Sequence, residues 1–210
     1  MESRRLPRPF FAQPTLQAAR HLLGCRLVRL EGDRRLSGYI TEVEAYRGEA
    51  DLGCHAKAGR TLRTQVMYGP AGHAYVYFTY GMHWMLNFVT EAEGFPAAVL
   101  LRAIYPTEGR EVIAARRKGQ PPALWTDGPA KICQALDIDK RFNGADLCAP
   151  EADLYIETGL TIPDDSVTIG PRVGLYTVPE PWKSIPWRFK VKSDFESEFG
   201  GAILYDIQNL

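Results

Sequence analysis

Apolar positions along the 210-residue chain repeat with two different periods. Residues 15–23 have the spacing of a short amphipathic helix, and Gly24 closes it as a usual C-terminal signal. Residues 26–30 and 36–43 then alternate like paired strands around Glu31-Gly32-Asp33. The stretch 73–89 is the most legible. Tyr75, Tyr77 and Thr79 fall on one face, and Ala74, Val76, Phe78 and Tyr80 on the other. Gly81 breaks the run and Trp84 resumes it, which predicts a β-hairpin turning near Tyr80-Gly81-Met82. An apolar run at 97–103, closing on Arg102, predicts a third strand. Helical spacing follows at 108–118 and 129–136, with Asp127 or Gly128 as cap and Pro129 in the first turn. Strand-like pieces recur near 167–176 and 187–191. Hairpin-joined strands followed by helices predict an α+β fold with an antiparallel sheet, in one domain over residues 1–210.

Composition narrows the class of protein. Hydrophobic residues at 45% and aromatics at 11% suit a globular chain and exclude extensive disorder. No apolar stretch approaches the roughly 18 residues of a membrane span. The basic N-terminus has no apolar run behind it, so no secretory leader is expected and the chain reads as soluble and intracellular. Cys25, Cys54, Cys133 and Cys148 stand far apart without a Cys-x-x-Cys pair, which fits four reduced thiols. Zinc is not expected at these spacings, and Cys54-His55 is where it would have to be sought.

Net charge is zero, but it is unevenly distributed. Residues 1–141 carry 20 basic and 14 acidic side chains, a surplus of 6. Residues 142–210 carry 5 basic and 11 acidic ones, a deficit of 6. No acid occurs between Leu52 and Thr90, while Lys57, Arg60 and Arg63 lie close together. A neutral protein can still turn a cationic face to phosphates, although scattered surface charge explains the composition equally well.

The candidate chemistry begins at Glu42-Val43-Glu44-Ala45-Tyr46. On a strand Glu42 and Glu44 share a face, either as a solvated edge or as paired functional carboxylates. Tyr46, His55, Tyr75 and Tyr77 would supply flat rings beside them, as a site for a flipped nucleobase requires. Sheet packing is the plainer account of the same aromatics. Tyr80 and Met82 flank Gly81 at a turn, where polar residues are the rule. Apolar tips suit a wedge in a DNA minor groove, unless the tip is buried under the N-terminal segment. A Walker lysine loop, a dinucleotide glycine fingerprint and a Gly-x-Ser-x-Gly elbow are all absent.

Several ordered strings together resemble the alkyladenine (3-methyladenine) DNA glycosylase family. They are Pro9-Phe10-Phe11, Leu23-Gly24, Glu42 to Gly48, Asp51 to His55, and Gly72 to His83 as the most specific piece. Asn87, Val99 to Ala103, Asp127 to Lys131 and Pro171-Arg172-Val173-Gly174 complete the set. The resemblance implies a compact α+β domain with a curved antiparallel sheet, flanking helices and a protruding hairpin. It implies Glu44 as the base that activates water, helped by Arg102. Tyr46 and His55 would line one side of the flipped base and Tyr77 the other, with a backbone hydrogen bond from His55 to the base edge. Asn87 would crowd the amino group of guanine, Tyr80 would intercalate, and Met82 would lie beside it in the groove. Lys57, Arg60, Arg63 and Lys131 would meet phosphates. The partner implied is damaged double-stranded DNA, with no metal or other cofactor, no membrane, and a monomer expected. The form is the short bacterial type, acting in the cytoplasm or nucleoid, and the product an intact abasic site. A non-catalytic sensor of distorted DNA and a hydrolase of free nucleosides are the rivals; Glu44 speaks against the first and the hairpin tip against the second.

Overall fold

The computed structural model describes residues 5–195 and Phe199. Two short helices open the chain, α1 (Arg8–Phe11) and α2 (Thr15–Leu22). The hairpin β1 (Arg26–Glu31) and β2 (Arg34–Arg47) turns on Gly32 and Asp33. A loop with two short 3₁₀ turns, His55–Ala58 and Gln65–Tyr68, leads to the second hairpin, β3 (Ala74–Thr79) and β4 (His83–Val89). Then come β5 (Ala97–Glu108), α3 (Arg110–Arg116) and α4 (Pro129–Ala135). The short strands β6 (Leu154–Glu157), β7 (Val167–Gly170) and β8 (Arg188–Val191) follow. The α+β class is as expected.

One open antiparallel sheet of eight strands joins these pieces, in the order β3-β4-β5-β2-β1-β6. The 14-residue strand β2 is the axis. Its first half pairs with β1 and its second half with β8 on one edge, while β5 runs along the other. Residues Leu36 to Ala45 are all buried, which suits a strand covered on both faces. Helices α2 and α4 pack on one face, over Leu22, Val43, Phe88, Leu101 and Ile132. The loop 53–68 folds over the other, where Cys54, Ala56, Met67 and Tyr68 cluster with Tyr75, Val89 and Ala98.

Some boundaries differ from the sequence pattern. Glu108 ends β5 rather than opening a helix; Gly109 adopts a left-handed backbone (φ 65°) and α3 starts only at Arg110. A side chain there would crowd the Arg35 carbonyl and Leu36. The strand expected over 167–176 stops at Gly170, β2 runs four residues beyond the expected end, and β6 was not visible as a pattern. No described helix is long and apolar enough to cross a membrane.

Candidate active site

Strand register assembles the site. Tyr75 lies opposite Asn87, Asn87 opposite Leu100, Leu100 opposite Glu44, and Glu44 opposite Arg188, so one transverse row crosses five strands. Residues directly opposed in a ladder share a face. Tyr77 and Tyr46 stand two positions along the strand from this row. Two neighbouring irregularities break the β2–β5 ladder, where Ile40 pairs with Ile104, Glu42 with Ala103 and Val43 with Leu101. Thr41 and then Arg102 are thereby left without an opposite residue. Bulges re-aim side chains, and Arg102 turns into the site beside Leu100.

A pocket of about 300 Å³ opens over this row, with Tyr46, His55, Tyr75, Tyr77, Asn87 and Arg102 among its walls. Glu44 is fully buried below them. Its Oε1 accepts the Val173 backbone N–H at 2.7 Å and lies 3.3 Å from Arg102 Nη1; its Oε2 accepts the Tyr46 hydroxyl at 2.8 Å. Arg102 is steadied through Nε, which donates to Glu42 Oε1 at 2.8 Å. Burial raises the Glu44 pKa above the ordinary glutamate value, while Arg102, Val173 and Tyr46 pull it back down without cancelling the rise. The same burial, and the Glu44 charge, raise Tyr46, so its hydroxyl stays a donor.

The aromatic wall is uncharged. His55 packs edge-on to Tyr77, with centroids 4.5 Å apart, and its Nδ1 is 3.0 Å from the Tyr75 hydroxyl. Burial, with Arg63 and Lys57 nearby, lowers His55 to about 4, so the ring is neutral at physiological pH. Burial pushes Tyr75 up to about 12 and raises Tyr77 likewise. Asn87 is fixed by Nδ2, which donates to the Tyr75 carbonyl at 3.0 Å.

The hairpin tip is exposed, with Tyr80 at 84% and Met82 at 68% of their free surface. Among the described residues nothing buries the tip. Tyr80 has φ 52° and Gly81 φ 69°, and the Met82 N–H reaches the Thr79 carbonyl at 3.2 Å. Two central residues with positive φ are the mark of a type I′ hairpin turn, unusual when one is tyrosine. This backbone swings Tyr80 away from the face that strict alternation assigns to it, and the ring reaches the pocket edge beside Thr79. Met82 does not line the pocket.

None of the four cationic candidates lines the pocket, but Arg63 and Lys57 both bear on His55 in its wall. Lys57, Arg60 and Arg63 are exposed on the loop 53–68. Lys57 Nζ donates to the Leu52 carbonyl at 3.0 Å, Arg60 lies 5.8 Å from the Tyr68 ring, and Arg63 lies 5.0 Å from the Tyr77 ring. Lys131 lies on α4, whose Pro129 lines the pocket, and is paired with Asp127 at 2.7 Å. Cys54 caps the first 3₁₀ turn by accepting the Ala56 N–H. Among the described residues no three His, Cys, Asp or Glu side chains converge as a metal site would need.

Sequence reasoning gave no role to three residues that hold the site together. Arg172 and Asp51 form a two-pronged ion pair at 2.5 and 2.8 Å, with both side chains fully buried. Arg172 also donates to the Ala45 carbonyl, and its guanidinium lies 4.6 Å from the Tyr46 ring centre. This anchor places the next residue, Val173, with its N–H on Glu44. Both charges stand within strings that carried the resemblance, but opposite charges 121 positions apart have no spacing signature.

The sheet, the aromatic pocket and the buried glutamate beneath it form one candidate site, and sequence comparison gives the class of protein. A model of the methylpurine-DNA glycosylase family matches residues 9–195, and the chain belongs to that family. It is 46% identical over 187 residues to a protein of Myxococcus xanthus, covering 89% of this chain and 90% of that one. It is also 46% identical over 189 residues to a protein of Methanocella arvoryzae (90% and 92% covered), and 43% identical over 189 residues to one of Carboxydothermus hydrogenoformans (90% and 96%). All three are provisionally named 3-methyladenine DNA glycosylase.

Proposed function

We propose that this DNA glycosylase flips alkylated or deaminated purines out of duplex DNA and hydrolyses the N-glycosidic bond with a water activated by Glu44. The observation that carries the reading is the buried Glu44 carboxylate, held by Arg102, Val173 and Tyr46 under a pocket of neutral rings. His55 packs against Tyr77 and leaves no room for a base between those two rings, so the side expected for His55 is corrected: a flipped purine enters between Tyr46 on one side and the Tyr77–His55 pair on the other. Stacking on one such ring is worth about 1–3 kcal/mol, which offsets part of the cost of extrusion. Ring faces attract cations, so an N3- or N7-alkylated purine is favoured over its neutral parent. Asn87, held by the Tyr75 carbonyl, stands where the amino group of guanine would be crowded.

The alkylated base leaves without an added proton because alkylation has already made it cationic. The deoxyribose gathers positive charge as the bond breaks, and Glu44 stabilises that charge while taking a proton from the attacking water. General-base help of this kind contributes roughly 10²–10⁴-fold. Glu44 has no exposed surface beneath the pocket. Among the described residues no lysine lines the pocket, which supports simple hydrolysis to an abasic site rather than strand cleavage.

The test is release of free base from duplexes carrying 3-methyladenine, 7-methylguanine, hypoxanthine or ethenoadenine. Glu44→Gln is expected to lower single-turnover excision at least about a hundredfold and to leave lesion-DNA affinity within a few-fold. Near-normal excision by the variant would remove Glu44 from the reaction.

A further inference from the structure

The inner face of the β3–β4 hairpin serves the pocket, while its outer face carries the half-buried Trp84 and the part-exposed Phe78, which the described residues cover only in part. Phe78 lies directly opposite Trp84, their rings 4.7 Å apart. Leu62 reaches over from the neighbouring loop and is 88% exposed; Phe78 is 45% exposed. With Arg63, Tyr77 and Lys140 they line a shallow groove of about 380 Å³ whose lining holds two cations and no carboxylate. We propose that this outer shelf binds the DNA strand opposite the lesion, its rings packing on sugar or base and Lys140 meeting a phosphate. The proposal rests on the glycosylase reading of the pocket and adds the partner of the hairpin's second face.

The argument is geometric first. A strand rises about 3.3 Å per residue, so Phe78 stands roughly 7 Å from the Tyr80 tip. The minor groove is about 7.5 Å deep and 6 Å wide. A tip inserted far enough to wedge a base step therefore carries Phe78 to the mouth of the groove. The groove has two walls. The inner face, with Tyr77 and Thr79, meets the strand whose nucleotide enters the pocket, and the outer face is left against the other. The chemistry fits as well, because aromatic rings interleaved with cations are the usual surface for unstacked or bent nucleic acid. Tyr77 belongs to the lining of both cavities and so joins the two surfaces through one ring.

The proposal is tested by binding to a duplex carrying one tetrahydrofuran abasic analogue. Neutral methylphosphonate linkages are placed near the lesion, in either the opposite strand or the lesion strand. Phe78→Ser, and separately the exposed double variant Leu62→Ser with Lys140→Ala, are expected to weaken binding by about five- to a hundredfold, the double variant while keeping the wild-type Tm. In the wild type, methylphosphonates in the opposite strand weaken binding further; in the variants they add little, because the contact is already lost. Independent losses from protein and DNA changes would overturn the proposal, as would coupling to the lesion strand alone. Variants that bind like the wild type would overturn it while leaving the pocket's function intact. A wild-type protein that neither binds this duplex nor releases methylated purines would remove both.

Discussion

The Glu44 carboxylate loses its water on folding and recovers only part of the loss from Arg102, Val173 and Tyr46, so its pKa stays above the ordinary 4.5. Two consequences follow with opposite signs. The base must be ionised to act, so the excision rate at saturating DNA is expected to fall with acid, with its midpoint above 4.5 and not below it. Stability runs the other way. The folded state holds this proton to higher pH than the unfolded one, so the contribution is fully present below the unfolded pKa and lost as pH rises through the folded value. Glu44→Gln does not titrate, and its Tm relative to wild type is therefore expected to decline as pH falls from neutrality. A constant Tm difference across that range would mean that Glu44 is not the group whose proton is retained. Burying this charge costs stability at the pH where the protein works, which is a common expense of a functional carboxylate.

Single elements store the same kind of tension. Tyr80 is a non-glycine residue in the left-handed region, a conformation that costs roughly 1–2 kcal/mol for a side-chain-bearing residue. Its ring is exposed and supports no core. Tyr80→Gly is thus expected to melt higher than Tyr80→Ala, by about 2–8 °C for a chain of this size. Both should excise well-paired lesions more slowly than poorly paired ones, which cost less to extrude. Equal melting points for the two variants would show that the turn carries no strain. The loop across the pocket depends on a different device. Asp51→Asn leaves the Arg172 guanidinium buried with its main partner neutralised, and breaking such a pair costs about 3–5 kcal/mol. A thermal scan should show that loss, and a change under about 1 kcal/mol would mean the pair behaves like a surface one.

These cases explain what the chain made legible. Hairpin β3–β4 was readable because half-buried strands alternate, and its tip stood out because tyrosine and methionine occupied a turn. The full length of β2 was not, because Ala45 and its neighbours are buried on both faces and lose the alternation. Residues 171–176 continued a strand-like pattern, yet the chain leaves the sheet after Gly170 so that the Val173 N–H meets Glu44. Glu44, Arg102, Tyr46, His55, Tyr77 and Asn87 were nameable from ordered strings. The Asp51–Arg172 anchor and a backbone N–H were not, since neither leaves a mark on residue type or spacing.

At the scale of the molecule, zero net charge conceals a division of labour. Three carboxylates of the acidic C-terminal third pair with arginines that do not line the pocket. Arg35 pairs with Glu157 at 2.7 Å, Arg20 with Asp164 at 2.6 Å and Arg8 with Asp146 at 2.6 Å. Arg35 stands nine residues before Glu44 on β2, roughly 30 Å away along the strand. None of the ion pairs described involves Lys57, Arg60 or Arg63, which stay exposed, and Lys131 is held only by a partly exposed bond to Asp127. The ion pairs beneath the pocket, Arg102 with Glu42 and Glu44 and Arg172 with Asp51, are internal, while the exposed Lys57 and Arg63, which both bear on His55, have no acidic partner among the described ion pairs and keep the local field positive. Each phosphate neutralised by a protein cation releases counterions and contributes about −0.9 to the slope of log affinity against log salt. Four such contacts predict a slope of about −3 to −4 between 50 and 200 mM salt, from a protein whose net charge alone predicts almost none. Lys57→Ala is expected to flatten the slope by about one contact and to weaken binding equally for lesion and undamaged duplexes, because phosphates carry no lesion information. A slope near zero in the wild type would place these cations off the DNA, and the uneven charge along the chain would then be a matter of folding alone.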